Sequence, residues 1–547
     1  MFKHFSKLTF GLLIAVLLVA SLAFVRSGDL YFQIKKQMTI FSDVYKEVAT
    51  TYVEEVSPEK LMRTGLDAML RELDPYTVFI DEGEQQQMEI LSSGTYGGVG
   101  IEAGFRGDDI VIIAPLEGYP AERAGIRPGD IILSVNEVRV EGLSPEEVQQ
   151  LTVGDPGTEI TFVIRRSGIE DPITFELERE RIEVRNIEYS GLIEGRDKLG
   201  YIQLTRFGQR SAEEMREKLI NFKQKDGLNG LVLDLRNNPG GLLNEAVDIV
   251  DKFIEPGVTV VETKGRLESQ NSVFVSDEPP VFEDLPIIVL MNQGSASASE
   301  VVAGALQDLD RAVIVGQPSF GKGLVQTVRP LSYNTSLKIT ISQYFTPSGR
   351  SIQAMDYTGG SGIEGRQVPD SLRRAFTTKN GRTVYDGLGI EPDYILDDEQ
   401  DSRARVALLQ NNKFFFFVAD YLSQNGSDEK PDRLFDHFVE FLERENFNYS
   451  VRADQSLEQL IASSEQFYDE DESRQLIDEL RKSVERKKEQ DLENNREFIE
   501  RRISEEWIAQ TGSGEERVQN RLKTDSAVQK AVELLENIDQ YQSILNP

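Results

Sequence analysis

Three serines separated by alanines lie in Asn292-Gln293-Gly294-Ser295-Ala296-Ser297-Ala298-Ser299-Glu300, where each hydroxyl is a possible nucleophile among small neighbours. Lys322 sits in a second glycine-flanked run, Ser319-Phe320-Gly321-Lys322-Gly323-Leu324-Val325-Gln326. A serine nucleophile usually passes its proton to a histidine. The histidines here are His4, in a hydrophobic N-terminal stretch, and His437, far along an acidic C-terminal region; cysteine is absent. If the chain is a hydrolase, its base must be another group, and Lys322 is the candidate. A free lysine has a pKa near 10.4, so only about one in 2,500 is neutral at pH 7. A general base works best at roughly 7 to 8, and desolvation among apolar neighbours moves lysine that way. Gln326, four residues on, can orient the amine without adding the negative charge that would undo the shift. The competing role for Lys322 is anion binding or a salt bridge. The run lacks the Ser/Thr and upstream glycines of a P-loop, so nucleotide binding is not expected.

Ser297 follows an apolar strand pattern at Ile287 to Leu290 and precedes a helical stretch from Ala298 to Leu306. A hydroxyl at a strand-to-helix junction is open to substrate, and the N–H groups at the helix start suit a developing oxyanion. Chemistry alone does not rank Ser295, Ser297 and Ser299. A plain helix cap at Ser295 or Ser297, with Glu300 in the first turn, is the competing reading.

Several elements must position these groups. From 37 to 73 the spacing is helical, with Phe41, Val44, Tyr45 and Val48 on one stripe and Leu61, Leu66, Met69, Leu70 and Leu73 on another. Ser57-Pro58-Glu59-Lys60 reads as an N-cap with proline at the first helical position, and Asp74-Pro75-Tyr76-Thr77 ends the helix. This helical segment, 29–84, reads as a platform or dimer contact. From about 90 to 180 the period becomes two, with strands at 110–113, 131–135 and 160–164 and short helices at 120–125 and 144–152. From 185 to 395 near-continuous apolar strands at 199–204, 231–235, 286–290 and 312–315 alternate with helices such as 212–223, the pattern of an α/β core. Beyond 400 the chain is helical and charged, and the sequence does not reveal what it packs against.

The 547 residues hold 93 acidic and 60 basic side chains, a formal charge of −33, which opposes nucleic-acid binding. With two distant histidines and no cysteine, a metal site would rest on carboxylates, and none is expected. A basic stub, Met1 to Lys7, precedes an uncharged run from Leu8 to Val25. Residues 1–28 thus read as a signal peptide or a membrane anchor, with the two close to even. The rest of the chain is expected on the extracytoplasmic side of the cell envelope.

Tyr96-Gly97-Gly98-Val99-Gly100-Ile101, followed by Pro120-Ala121-Glu122-Arg123-Ala124-Gly125-Ile126-Arg127-Pro128-Gly129-Asp130, resembles the PDZ domain of bacterial proteases. That resemblance implies a loop, Gly97 to Gly100, whose amides hold a peptide's terminal carboxylate, with Val99 and Ile101 lining the groove. The serine and lysine runs, with Gly304-Ala305-Leu306-Gln307-Asp308 and Leu233-Asp234-Leu235-Arg236-Asn237-Asn238-Pro239-Gly240-Gly241, resemble the carboxyl-terminal processing (tail-specific) proteases. Further matches are Thr346-Pro347-Ser348-Gly349-Arg350 and Gly389-Ile390-Glu391-Pro392-Asp393. The resemblance implies Ser297 as nucleophile, Lys322 as general base, Gln326 as its orienting partner, and backbone N–H groups of Ala298 and Gly240 as the oxyanion hole. It runs from about 38 to 395; the region from 401 and an insert from Asp356 to Tyr385 depart from the compact members.

The expected architecture is α+β and multidomain: a helical N-terminal segment, a PDZ-like domain at 85–182, an α/β serine protease core at 183–398 and an acidic helical region at 399–547. The expected function is a cofactor-free serine endopeptidase that recognises free C-termini of unfolded or exported proteins and cleaves near them. A homo-oligomer is expected, with room for an adaptor protein and for membrane contact through an uncleaved leader. The rival readings are a catalytically inactive PDZ-containing scaffold and a binding protein for a small anion.

Overall fold

The computed structural model describes residues 30–84, 94–106, 109–357, 365–396, 402–425, 430–449, 454, 456–459, 471–512 and 514–546. The leader expected at 1–28 lies outside the described residues. Among those described, no helix is long and apolar enough to cross a membrane.

The N-terminal segment forms helices over 30–51 and Pro58–Arg71. Ser57 caps the second, accepting the Lys60 N–H, with Pro58 in its first turn as the sequence predicts. Its apolar stripes are not core: Leu70 is buried, whereas Phe41, Val44, Met69 and Leu73 are exposed. After the turn at 74–77 the chain adds a strand, Val78–Ile80, to a sheet of the core by pairing with Ser336–Phe345.

The small domain is an antiparallel sheet in the order Ile101–Arg106, Asp109–Pro115, Ile131–Val135, Glu159–Arg165, Ile173–Glu178. Alternating inward residues, among them Ile110, Ile112, Ile132, Ile160, Phe162 and Ile164, fill its core. The short helices are Pro120–Arg123 and Pro145–Thr152, the second capped by Ser144. Ile101–Arg106 is an edge strand of this sheet.

The core is a six-stranded sheet in the order Ile187–Leu192, Leu199–Leu204, Gly230–Asp234, Ile287–Met291, Val313–Gly316, Tyr394–Ile395. All neighbours are parallel except the first pair. Its strands are apolar on both faces because both are covered. Leu231, Leu233, Ile287 and Val289 pack under the helices Ser211–Asn221, Leu243–Val250 and Ala298–Asp308. On the opposite face, Tyr201, Val232, Ile288 and Leu290 pack against Val528, Ala531 and Val532 of the helix Ser526–Glu536. The partner that the sequence withheld for this last stretch is therefore the core sheet itself.

The helices Arg403–Gln410, Lys413–Asn425, Leu434–Arg444 and Arg496–Thr511 build a separate cluster around Phe414, Phe417, Phe438, Ile503 and Trp507. Val111 of the small domain is buried in that cluster, Arg106 pairs with Glu445, and the Arg106 guanidinium lies 4.3 Å from the Phe416 ring centroid. A second, antiparallel core sheet combines Val78–Ile80, Ser336–Phe345, Thr259–Gly265 and Ser272–Val275, with Leu324–Pro330 also on Ser336–Phe345. The lysine run enters the strand Leu324–Pro330, so this sheet meets the serine-bearing helix at the site below.

Candidate active site

Ser297 stands between the strand Ile287–Met291 and the helix Ala298–Asp308, with φ +56° and ψ −112°. A non-glycine residue there carries about 1 to 3 kcal/mol of strain, which surrounding bonds must hold. The three serine hydroxyls differ. Ser295 Oγ donates to the Leu235 carbonyl at 2.8 Å and Ser299 Oγ to the Asn238 carbonyl at 2.9 Å, and both residues are fully buried. Ser297 is 8 % exposed, and its side chain lies beside the buried Tyr344 phenol. The Glu300 and Val301 N–H groups donate to the Ser297 carbonyl, so the first turn closes through the backbone.

Glu300 is the hub. Its carboxylate, wholly buried, accepts the Ser297 N–H at 2.7 Å and the Lys322 N–H at 2.9 Å on Oε2. On Oε1 it accepts the Gly321 N–H at 2.7 Å and the Ser319 hydroxyl at 2.5 Å. Ser319 Oγ itself accepts the Ile390 N–H at 2.7 Å, so its proton is free to go to Glu300. Burial pushes the Glu300 pKa up, and these donors oppose that push. The sequence reading treated Glu300 as a first-turn acid only. The signal was present as the Ser-x-x-Glu spacing of a capping box.

Lys322 projects from this loop so that Nζ lies 4.6 Å from the Tyr76 ring centroid. Burial lowers its pKa to about 8, Lys338 adds to the lowering, and the charges of Glu300 and Asp74 oppose it. The predicted direction and its leading cause are thus those of the folded chain. Among the described residues no hydrogen bond joins the Ser297 hydroxyl to Lys322 Nζ; their backbone amides meet on Glu300 while their tips face Tyr344 and Tyr76.

Gln326 does not reach Lys322 here. Its Nε2 donates to Thr340 Oγ1 at 3.2 Å, across a strand pair whose register shifts between Val325 and Gln326. Gly240 abuts Ser297 at φ +99°, and a Cβ there would meet Ala298 N at 2.9 Å. A side chain at 240 would therefore occupy the space in front of the Ala298 amide. The Gly240 N–H, expected to be free for an oxyanion, instead donates to Asn238 Oδ1 at 2.9 Å. Asn238 is buried and anchored through Nδ2 to the Leu204 carbonyl, so it is well placed to hold that amide.

Part of the expected peptide-binding loop is also corrected. Gly97 and Gly98 belong to the strand Thr95–Gly98 and pair with Arg181 and Glu180, so they are ladder residues. Val99 is 2 % exposed, with its side chain in the core of the small domain. Val99 and Gly100 lie outside any strand, and Ile101 begins the edge strand half-buried. Gly100 has φ +74°, and a Cβ there would come within 2.5 Å of Tyr119 Cβ, so a glycine is needed on both counts. The insert from Asp356 reaches the edge of the site: Tyr357 packs edge-on to Tyr76 at 6.1 Å.

The family model described as peptidase family S41 matches residues 198–364. A PDZ domain model matches 111–166, and one described as the C-terminal helical domain of probable PDZ-proteases matches 404–535. A carboxy-terminal-processing protease of Bartonella bacilliformis is 38% identical over 341 residues, 62% of this chain and 77% of that protein. A probable CtpA-like serine protease of Staphylococcus aureus is 32% identical over 425 residues, 78% of this chain and 76% of that one. Among solved structures, a photosystem II D1 C-terminal processing protease aligns at 28% identity and TM-score 0.36, over 66% of this chain and 93% of that chain. On the Bartonella and Staphylococcus relatives and the matched models, the chain belongs to the S41 peptidases, as a PDZ-containing serine protease of the carboxy-terminal-processing group.

Proposed function

We propose that the chain cleaves unfolded or exported polypeptides near free C-termini, with Ser297 as nucleophile and Lys322 as general base. The observation that carries this reading is the Glu300 carboxylate, which binds the amides of Ser297 and Lys322 together. Neutral Lys322 takes the Ser297 proton as the hydroxyl attacks a peptide carbonyl, then returns it to the leaving amine; water releases the acyl group. A pKa of about 8 leaves roughly one lysine in ten neutral at pH 7, against about one in 2,500 for a free one. The Ala298 N–H, in the first turn of its helix, supports the oxyanion, and Gly240 keeps the approach open. Gly240 joins as a second donor only by releasing Asn238. Gln326 acts on the lysine's surroundings through Thr340, and engagement of substrate turns the Ser297 and Lys322 tips toward each other.

The small domain, taken as 85–182, supplies selection to a core taken as 183–398. Amides of Val99, Gly100 and Ile101 meet the substrate's carboxylate, and the edge strand Ile101–Arg106 pairs with its extended end. The basic stub and apolar run at the N-terminus support a working place on the extracytoplasmic side of the envelope. Exposed Leu30, Phe32, Ile34, Met38 and Phe41 on the helix 30–51 support self-association, which sedimentation of a Phe32→Lys variant tests. The decisive experiment is incubation with an unstructured polypeptide and mass analysis of the products. Cleavage by the parent and none by Ser297→Ala or Lys322→Ala is the expected result. Undiminished cleavage by either folded variant removes that residue from its role.

A further inference from the structure

We infer that Tyr76 is a positioning residue for Lys322, its ring forming the seat on which the lysine's amino group rests, so that the N-terminal segment completes the catalytic pocket. The inference rests on the Ser297 and Lys322 reading and adds to it a residue from the turn that follows the N-terminal helices.

The geometry begins with a rigid turn. Asp74 Oδ1 accepts the N–H groups of Tyr76 and Thr77, each at 2.8 Å, and Oδ2 accepts the Thr77 hydroxyl at 3.0 Å. Asp74 and Thr77 are buried, so the turn is held from within. It then touches both candidates of the lysine pocket. Tyr76 carries Lys322 Nζ 4.6 Å from its ring centroid, inside the roughly 6 Å range of cation–π attraction. Thr77 Oγ1 accepts the Thr340 N–H at 3.2 Å, and Thr340 Oγ1 accepts from Gln326 at 3.2 Å. Tyr357 packs edge-on against the Tyr76 ring at 6.1 Å. The charged groups facing the lysine are Lys338 from the strand Ser336–Phe345, Glu300 from the serine-bearing helix and Asp74 from the turn itself. Of these surroundings, the ring is the part that attracts an ammonium without carrying charge.

Ring replacement tests this. Tyr76→Phe keeps the face, Tyr76→Leu keeps bulk without a quadrupole, and Tyr76→Trp offers the strongest face. Losing the face destabilises the ammonium form. The pH at which Lys322 becomes neutral should then fall by roughly 0.4 to 1.5 pH units in the leucine variant, hold in phenylalanine and rise in tryptophan. Two readouts apply: the acid limb of kcat/KM, and the pH profile of Lys322 acetylation by acetic anhydride, mapped by mass spectrometry in a Ser297→Ala background. The second needs no catalysis. Should the leucine variant fail to fold by circular dichroism, the phenylalanine and tryptophan pair still gives the ordering. An acetylation profile that ignores the ring overturns the inference. A profile that follows the ring while the kcat/KM limb does not supports the seat and removes Lys322 as the base.

Discussion

Glu300→Gln is the perturbation that most directly probes how the site is assembled. The side chain keeps its shape but loses its charge and one acceptor oxygen. Four donors now converge on the carboxylate, two on each oxygen. An amide offers one oxygen, so two donors meet an NH2 group instead. Placing that NH2 toward Ser297 and Lys322 frees both loops at once; placing it toward Ser319 and Gly321 loosens the lysine run alone. A buried donor without an acceptor costs about 1 to 3 kcal/mol, so the pair amounts to roughly 2 to 6 kcal/mol. Even the low end is about 30-fold in rate if it falls on the assembled geometry. The assay is kcat/KM on an unstructured polypeptide, with thermal unfolding measured on the same preparation. A loss of at least about 30-fold, or an equivalent fall in Tm, is expected. Glu300→Asp keeps the charge but shortens the reach, and should fall between the two. Activity and Tm within threefold and one degree of the parent in Glu300→Gln would refute the idea that this carboxylate joins the two loops.

Ser297→Ala should abolish peptide cleavage, whereas Ser295→Ala and Ser299→Ala should act mainly through stability, each losing a buried hydroxyl bond of about 1 kcal/mol in a melt. The kcat/KM of the parent should rise with pH through an apparent pKa near 8, because the neutral amine is the active form, and Lys322→Arg should be inactive at every pH tested. The same shift has a stability sign: the folded state releases its proton before the unfolded state does, so stability rises with pH from about 8 to about 10.4. Urea titrations of the parent should follow that slope and those of Lys322→Met should lack it. A substrate with a free C-terminus should outcompete its amide by roughly 10- to 150-fold, the loss of a charge-assisted bond, and equal kcat/KM for the two would leave the small domain as a spacer. Asp525→Ala removes both the cap of the helix Ser526–Glu536 and one of the two carboxylates paired with Arg236, Asp234 being the other, and should cost about 1 to 3 kcal/mol in urea.

Much of this protein was legible before folding because it is local. The strands 199–204 and 287–290, the cap at Ser57, the alternation of the small domain and the glycine-bounded lysine each follow from periodicity or backbone preference within a few residues. The proposed chemistry had a local basis too, since in a chain without cysteine and with two remote histidines lysine is the candidate base for a serine nucleophile. What the linear order withheld is what depends on distant segments meeting. The different settings of the three serines are one case: Ser295 and Ser299 donate their hydroxyls to carbonyls about 60 residues away in the chain, at Leu235 and Asn238. Glu300 became a hub only when the Ser319–Lys322 loop folded over the helix start. Gly97 and Gly98 proved to be ladder residues because a glycine cluster fits a ladder as readily as an open loop, and the pairing with Glu180–Glu183 is a long-range fact. The helical region beyond 400 carries its apolar faces openly, yet periodicity states that a face is buried and not against what. Its last helices close the second face of the core sheet, and its phenylalanines hold the small domain through Val111 and Arg106. Side-chain type and local spacing determined the elements and the candidate groups; the pairing of surfaces remote in the chain decided which serine hydroxyls are tied to carbonyls, and which carboxylate and which aromatic ring lie beside the lysine.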